Sequence, residues 1–184
     1  MLTKEEGKEL LELARKSIES KFSDDKVDLS GYTKYADKRG VFVSLHKHGE
    51  LRGCIGFPEP VYPLKQAVFE AARAAAFEDP RFGPLEYKEL AEIDVELSVL
   101  TVPEEIKVKS PDEYLNRIKI GEDGLIIRGL YGSGLLLPQV FTEDNCKEKQ
   151  ALEMTCEKAG LPKDAWKDPK NKILKFQAQI FNED

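Results

Sequence analysis

The sequence predicts an α+β fold, a largely antiparallel sheet packed by helices. Segments such as "VFVSLHK", "IDVELSVLT" and "ILKFQAQIF" alternate apolar and polar residues, the period of a strand with one covered face. Two pairs of strand-like segments are joined by short turns, at "KHGE" and "YGSG", and hairpins make antiparallel neighbours. Regular alternation of strand and helix, the mark of a parallel sheet, is absent.

In order, Thr3 followed by Glu6 forms a capping box, and Leu10, Leu13, Ala14 and Ile18 recur at helical spacing to about Ser20. Lys21 to Arg39 is polar and aperiodic and reads as a solvated connector. Val41 to Lys47 and Glu50 to Gly56 form a hairpin turning at His48-Gly49. Pro63 opens an Ala-rich helix that "EDPRFGP" breaks. Ile93 to Thr101 is a strand, and Ser110-Pro111-Asp112-Glu113 reads as a capping box opening a short helix. "DGLIIRGLYGSGLLLP" is a second hairpin ended by Pro138, and Lys147 to Ala159 is a helix with Gly160 past its end. The last strand places Leu174, Phe176, Ala178 and Ile180 on one face. Length allows a single domain over 1–184 with a smaller lobe seamed near 104–121.

Composition narrows the function classes. A net charge of -6 offers no general attraction to phosphate backbones, so no nucleic-acid partner is expected. No apolar run approaches the roughly 20 residues of a membrane helix, and the acidic, amphipathic start lacks the pattern of a secretory signal. A cytoplasmic protein without membrane contact is the expectation. Three cysteines without a C-x-x-C pair argue against a disulfide framework or a cysteine-held metal.

The segment "LRGCIGFP" carries the candidate chemistry. Arg52 and Cys54 sit at alternate positions, hence on one face, roughly 7 Å apart. With a two-residue turn, Cys54 falls opposite Val43 and Arg52 opposite Leu45, and His46 faces away from the thiol. A half-buried arginine needs an acidic partner or an anionic ligand; Asp79 and Glu96 are the expected partners. A cation beside Cys54 would favour the thiolate and make a nucleophile, with Glu96 orienting groups or moving a proton. Reaction, ligand binding and simple packing all remain open at this point. His46, His48 and Glu50 also read as a metal cluster, but a polar hairpin tip explains them and no metal site is expected. "YGSG" lacks the lysine of a P-loop and the spacing of a hydrolase elbow. Ser133 there is either a turn residue or an anion donor, and Gln139 can supply an orienting amide. Cys156 lies on an apolar helix stripe, and Cys146 at that helix's entrance.

The segments "RGVFVSLHKHGELRGCIGFPEPVYPL", "AAAFEDPRFGPL", "ELSVLT", "DGLIIR", "SGLLLPQV" and "KAGLPKDAW" closely resemble, in order, those of the AMMECR-type domain family. The resemblance implies a larger and a smaller subdomain, with "LRGCIG" lining a site. Arg52, Gly53, Cys54 and Gly56 match that signature; Asp79, Pro80 and Arg81 match the "DPRF" block; Glu96 and Ser98 match "ExSVL"; Ser133, Pro138 and Gln139 match "SGLLLPQV". Many members are fused or adjacent to MEMO-type and radical-SAM proteins, which implies a role beside such partners and an unknown small molecule. Cys146 stands where related chains tend to carry Trp or another residue, which argues against a role for that thiol. The family implies no particular cofactor. Two functions follow as expectations: an enzyme centred on Cys54 with Arg52 and Glu96, or a non-catalytic binding or adaptor module using the same face, with Gly53, Gly56, Asp79, Arg81, Ser98, Ser133 and Gln139 in binding roles.

Overall fold

A computed structural model describes residues 1–183. Its elements are α1 (Lys4–Glu19), β1 (Val41–Lys47), β2 (Glu50–Phe57), α2 (Leu64–Phe77), β3 (Ile93–Leu100), β4 (Glu104–Glu105), β5 (Asp123–Arg128), β6 (Ser133–Leu136), α3 (Pro138–Glu143), α4 (Glu148–Lys158) and β7 (Lys172–Asn182), with short 3-10 turns between some of them. They form two compact units: Met1–Leu100 with the residues from Gln179 on, and Thr101–Ala178. The sheet is antiparallel and helices pack on it, as the alternation and hairpins predict.

In the first unit β1 lies between β2 and β3, and the end of β7 lies beside β3. The hairpin turn forms at His48 and Gly49, whose φ angles of 53° and 83° are the left-handed backbone conformation that a two-residue hairpin turn requires at both central residues. Val41, Val43 and Leu45 of β1 and Val95, Leu97 and Val99 of β3 are buried in one core with Leu10, Leu13 and Ile18 of α1 and Ala67, Ala71 and Ala75 of α2. Each large aliphatic side chain so buried contributes about 1.5–3 kcal/mol. The small residues of α2 permit a close approach: a Cβ on Gly53 of β2 would lie 2.1 Å from the Ala75 carbonyl oxygen. The connector before β1 is less solvated than its polar text implies. Tyr35 is buried in this core, and its hydroxyl donates to Glu9 Oε2 at 2.7 Å.

In the second unit β7 pairs with both β4 and β5, and β6 pairs with β5. Leu125, Ile127, Phe141, Leu152, Cys156, Trp166 and Ile173 form its core. Pro138 does more than end the hairpin: placed at the first helical position, where its missing N–H costs nothing, it starts α3. The capping box expected at Ser110 does not form, and Pro111–Asn116 is a 3-10 segment without a side-chain cap bond. The Glu113 carboxylate accepts instead from the Lys109 N–H at 3.3 Å. The single apolar face expected for the last strand is also interrupted. Leu174 and Phe176 are buried but Ile180 is exposed, and the β7 residues that join the two cores are Ile173 and Phe181, which alternate onto the opposite face.

Candidate functional site

The geometry of the site follows from one irregularity. Between Leu45 and His46 the β1–β2 register shifts, so that Leu45 pairs with Gly53 and His46 with Leu51, leaving Arg52 as an inserted residue. Such a bulge moves every later side chain by one position relative to its partner strand. Cys54 therefore lies opposite Ser44, not Val43. It keeps the face turned away from the helices, with Phe42, Ser44 and His46 of β1 and Asp94, Glu96 and Ser98 of β3. His46 thus shares the thiol's face instead of pointing away from it.

Across the three strands Cys54, Ser44 and Glu96 form one row, since Ser44 pairs with both of the others. Directly paired residues hold their Cβ atoms about 5 Å apart. The Ser44 hydroxyl donates to Cys54 Sγ at 3.3 Å. Beside this row Phe42 lies between Gly56 and Ser98. The Phe42 ring covers Gly56, where a Cβ would meet the ring at 2.4 Å and the Val41 oxygen at 2.3 Å. Gly53 and Gly56 therefore serve close packing, and Ser98 is buried.

β2 is an edge strand, and its outward backbone groups need partners. The "DPRF" loop supplies them. The Cys54 N–H donates to Asp79 Oδ2 at 2.9 Å, and Arg81 Nη2 donates to the Cys54 carbonyl at 3.2 Å. Asp79 is buried and takes Arg81 Nε at 3.0 Å and Nη2 at 2.7 Å. These Arg81 bonds, joined by the Cys54 and Arg81 backbone N–H groups and outweighing burial, hold the Asp79 carboxyl well below the usual carboxylate range. The Arg81 guanidinium is in turn stabilised as a cation, first by Asp79 and to a smaller degree by Cys54. With 54% of its side chain exposed, Arg81 is the cation presented at the thiol.

Arg52 is engaged elsewhere. Its acidic partner is neither Asp79 nor Glu96 but Glu89: Nε donates to Oε1 at 3.1 Å and Nη2 to Oε2 at 3.0 Å. Nη1 donates to the Gly83 carbonyl at 3.0 Å, so Arg52 pins the loop that carries Arg81. Phe82 lies beneath both cations, its ring centroid 5.5 Å from the Arg81 guanidinium carbon and 6.0 Å from that of Arg52. Glu89 also accepts from Lys47 Nζ at 3.2 Å and from the Glu86 N–H at 3.0 Å. Its pKa falls from 4.5 to about 2, first through Arg52, then through the Glu86 N–H and Lys47, against the cost of burial.

The remaining candidates lie in the second unit. Ser133 is exposed at the start of β6. Gln139, the second residue of α3, keeps its Oε1 buried without a hydrogen-bond partner. Cys156 is buried in the core, which pushes its thiol up to about 11. Cys146 packs its sulfur 3.3 Å from that of Met154, and burial raises its pKa. Among the described residues no three His, Cys, Asp or Glu side chains converge to hold a metal ion, and no helix is long and apolar enough to cross a membrane. Sequence reasoning missed Ser44, Glu89 and the placement of His46. Ser44 and His46 become visible only once the bulge is known, and nothing in "EYKEL" distinguishes Glu89 from its exposed neighbours.

Known proteins resemble this chain over its whole length. A protein of Methanothermobacter thermautotrophicus is 48% identical over 191 residues, covering 100% of this chain and 97% of its own. Protein MK0488 of Methanopyrus kandleri is 49% identical over 188 residues, covering 100% and 91%. The crystal structure of the uncharacterized protein PH0010 from Pyrococcus horikoshii matches with a TM-score of 0.85 at 44% identity, covering 97% of this chain and 91% of that one. Residues 11–181 match the AMMECR1 family, and the chain belongs to that family.

Proposed function

We propose that the open face of the first unit is a thiol site, in which Cys54 attacks or binds the reactive group of a small anionic molecule and Arg81 holds its negative charge. The observation that carries this is the Ser44 hydroxyl donating to Cys54 Sγ at 3.3 Å, in a row with Glu96. That hydroxyl fixes the sulfur on the open face, where a nucleophile must stand to meet its substrate. Glu96, which pairs with Ser44, is the group that would orient that hydroxyl. Arg52 acts as a positioning residue through Glu89 and Gly83, and does not serve as the thiol's own cation.

The test compares alkylation of Cys54 by iodoacetate, which is anionic, with alkylation by neutral iodoacetamide, followed by peptide mass spectrometry. Arg81→Ala should lower the iodoacetate rate severalfold and leave the iodoacetamide rate within about twofold. Ser44→Ala should lower both about fivefold, the equivalent of about 1 kcal/mol for a net hydrogen bond. A Cys54 that reacts no faster than Cys156, or a reagent ratio unchanged by Arg81→Ala, would sink the proposal.

A second reading keeps the same face as a non-catalytic binding or adaptor module for a MEMO-type or radical-SAM partner. The commitment of Arg52 to Glu89 favours it, because it takes Arg52 out of the expected set of Cys54, Arg52 and Glu96. Co-purification with such a partner that survives Cys54→Ser but is lost with Arg81→Ala would select this reading.

A further inference from the structure

The proposed thiol site has a nucleophile and an anion anchor but, in the row of Cys54, Ser44 and Glu96, no group whose ordinary titration range spans neutral pH. Imidazole is the side chain that fits that role, and the chain contains only two histidines, His46 and His48. We infer that His46 is the proton acceptor for Cys54. The inference rests on the thiol reading and adds the base to it.

The bulge at Arg52 is what makes the assignment. In a regular hairpin Cys54 would pair with Val43 and its face would exclude His46. With Arg52 inserted, Cys54 pairs with Ser44, and His46, two residues further along β1, becomes its diagonal neighbour. Diagonal neighbours on one face are about 7–8 Å apart at Cα, within reach of long or aromatic side chains. The Ser44 hydroxyl bond draws Sγ toward β1, the strand that carries His46. Transfer then runs directly or through one water.

Carboxylates face the imidazole from β3. Asp94 of β3 pairs with His46, and Glu96 is its diagonal neighbour. Both are carboxylates able to orient a ring N–H and to face an imidazolium. On β2 the neighbours are Leu51 and Arg52, whose guanidinium is drawn away by Glu89, and Cys54 itself. His48, the next residue of that parity, lies at the hairpin tip with 75% of its side chain exposed, 3.7 Å from Glu92. It belongs to the network of Lys47 and Glu92.

The step balances without any added oxidant or cofactor. The Cys54 S–H proton passes to the neutral imidazole as the sulfur pair forms a bond to an electrophilic carbon. The bond from that carbon to its leaving group breaks, and the leaving group departs with the electron pair. It takes the proton from the imidazolium, directly or through solvent. With iodoacetamide as the probe, iodide is the leaving group and the proton goes to solvent.

The experiment is the pH profile, from 5 to 10, of the iodoacetamide rate at Cys54 in the full chain, for the native sequence, His46→Gln and His48→Gln. His46→Gln should lower the rate about tenfold at pH 6.5 and leave it within twofold at pH 9.5, where solvent hydroxide deprotonates the thiol unaided. His48→Gln should leave the profile unchanged. As a check that needs no substitution, the His46 imidazole signal of the native protein should change its titration in NMR spectra when Cys54 is carbamidomethylated. A His46→Gln profile that superimposes on the native one, or a His46 titration indifferent to blocking of Cys54, overturns the assignment while leaving the thiol reading intact. An inert Cys54 overturns both.

Discussion

Replacing Glu89 by Gln tests the framework that carries the site. The substitution keeps the shape and removes the charge from a residue only 8% exposed that joins Arg52, Lys47 and the Glu86 N–H. The native carboxyl has a pKa lowered from 4.5 to about 2. At about 1.4 kcal/mol for each tenfold change in proton affinity, this bounds its contribution near 3 kcal/mol. Solvent beside the Lys47 arm screens the pairs, and roughly 1–2 kcal/mol is the expected net value. Because the folded pKa is depressed, this stability is fully present above about pH 4.5 and is lost as pH falls toward 2. Urea unfolding followed by circular dichroism should therefore find Glu89→Gln about 1–2 kcal/mol less stable at pH 7, with the gap shrinking by roughly half between pH 5 and pH 3. Other carboxylates titrate in both proteins and cancel in the difference. A gap that stays constant down to pH 3, or one under about 0.5 kcal/mol at pH 7, would refute the account of Arg52 as a strut held by Glu89.

Asp79→Ala leaves the Cys54 N–H without a partner and frees Arg81, so thermal denaturation should show a loss of about 2–4 kcal/mol, and Arg81→Ala, which leaves the Cys54 N–H bonded, should lose clearly less. Gly53→Ala pushes a methyl group into the Ala75 carbonyl oxygen at 2.1 Å and should destabilise by more than about 2 kcal/mol in the same melts, whereas Gly83→Ala, with nothing within 4 Å, should stay within about 0.5 kcal/mol. The Cys156 thiol, buried and pushed up to about 11, should remain unmodified by iodoacetamide at pH 8 in the folded protein and react only after unfolding, as peptide mass spectrometry would read.

Local pattern was enough for most of the elements. Thr3 and Glu6 start α1 as their spacing implies, because a capping box needs only residues three apart. His48-Gly49 turns the first hairpin, because its left-handed backbone is a local preference. Strand alternation in β1 and β3 matched the burial of Val41, Val43, Leu45, Val95, Leu97 and Val99, since one covered face selects for period two. Where local signals conflicted with packing, packing prevailed. The ring of Tyr35 entered the core from a polar connector, and Pro138 became the start of α3.

For the candidate site, the sequence by itself determined that Arg52 and Cys54 stand in one strand next to a hairpin, and that the chain resembles one family throughout. Tertiary structure alone decided what faces the thiol. An inserted residue at Arg52 leaves the apolar alternation of β1 and β3 untouched, so no periodicity reveals it, yet it exchanges Val43 for Ser44 and brings His46 to the face of Cys54. Charge partners were equally illegible, because an arginine pairs with whichever carboxylate the folded loop delivers. Glu89 and not Glu96 reaches Arg52, and Asp79 is taken by Arg81 and by the open edge of β2, whose unpaired N–H at Cys54 exists only once the sheet has formed.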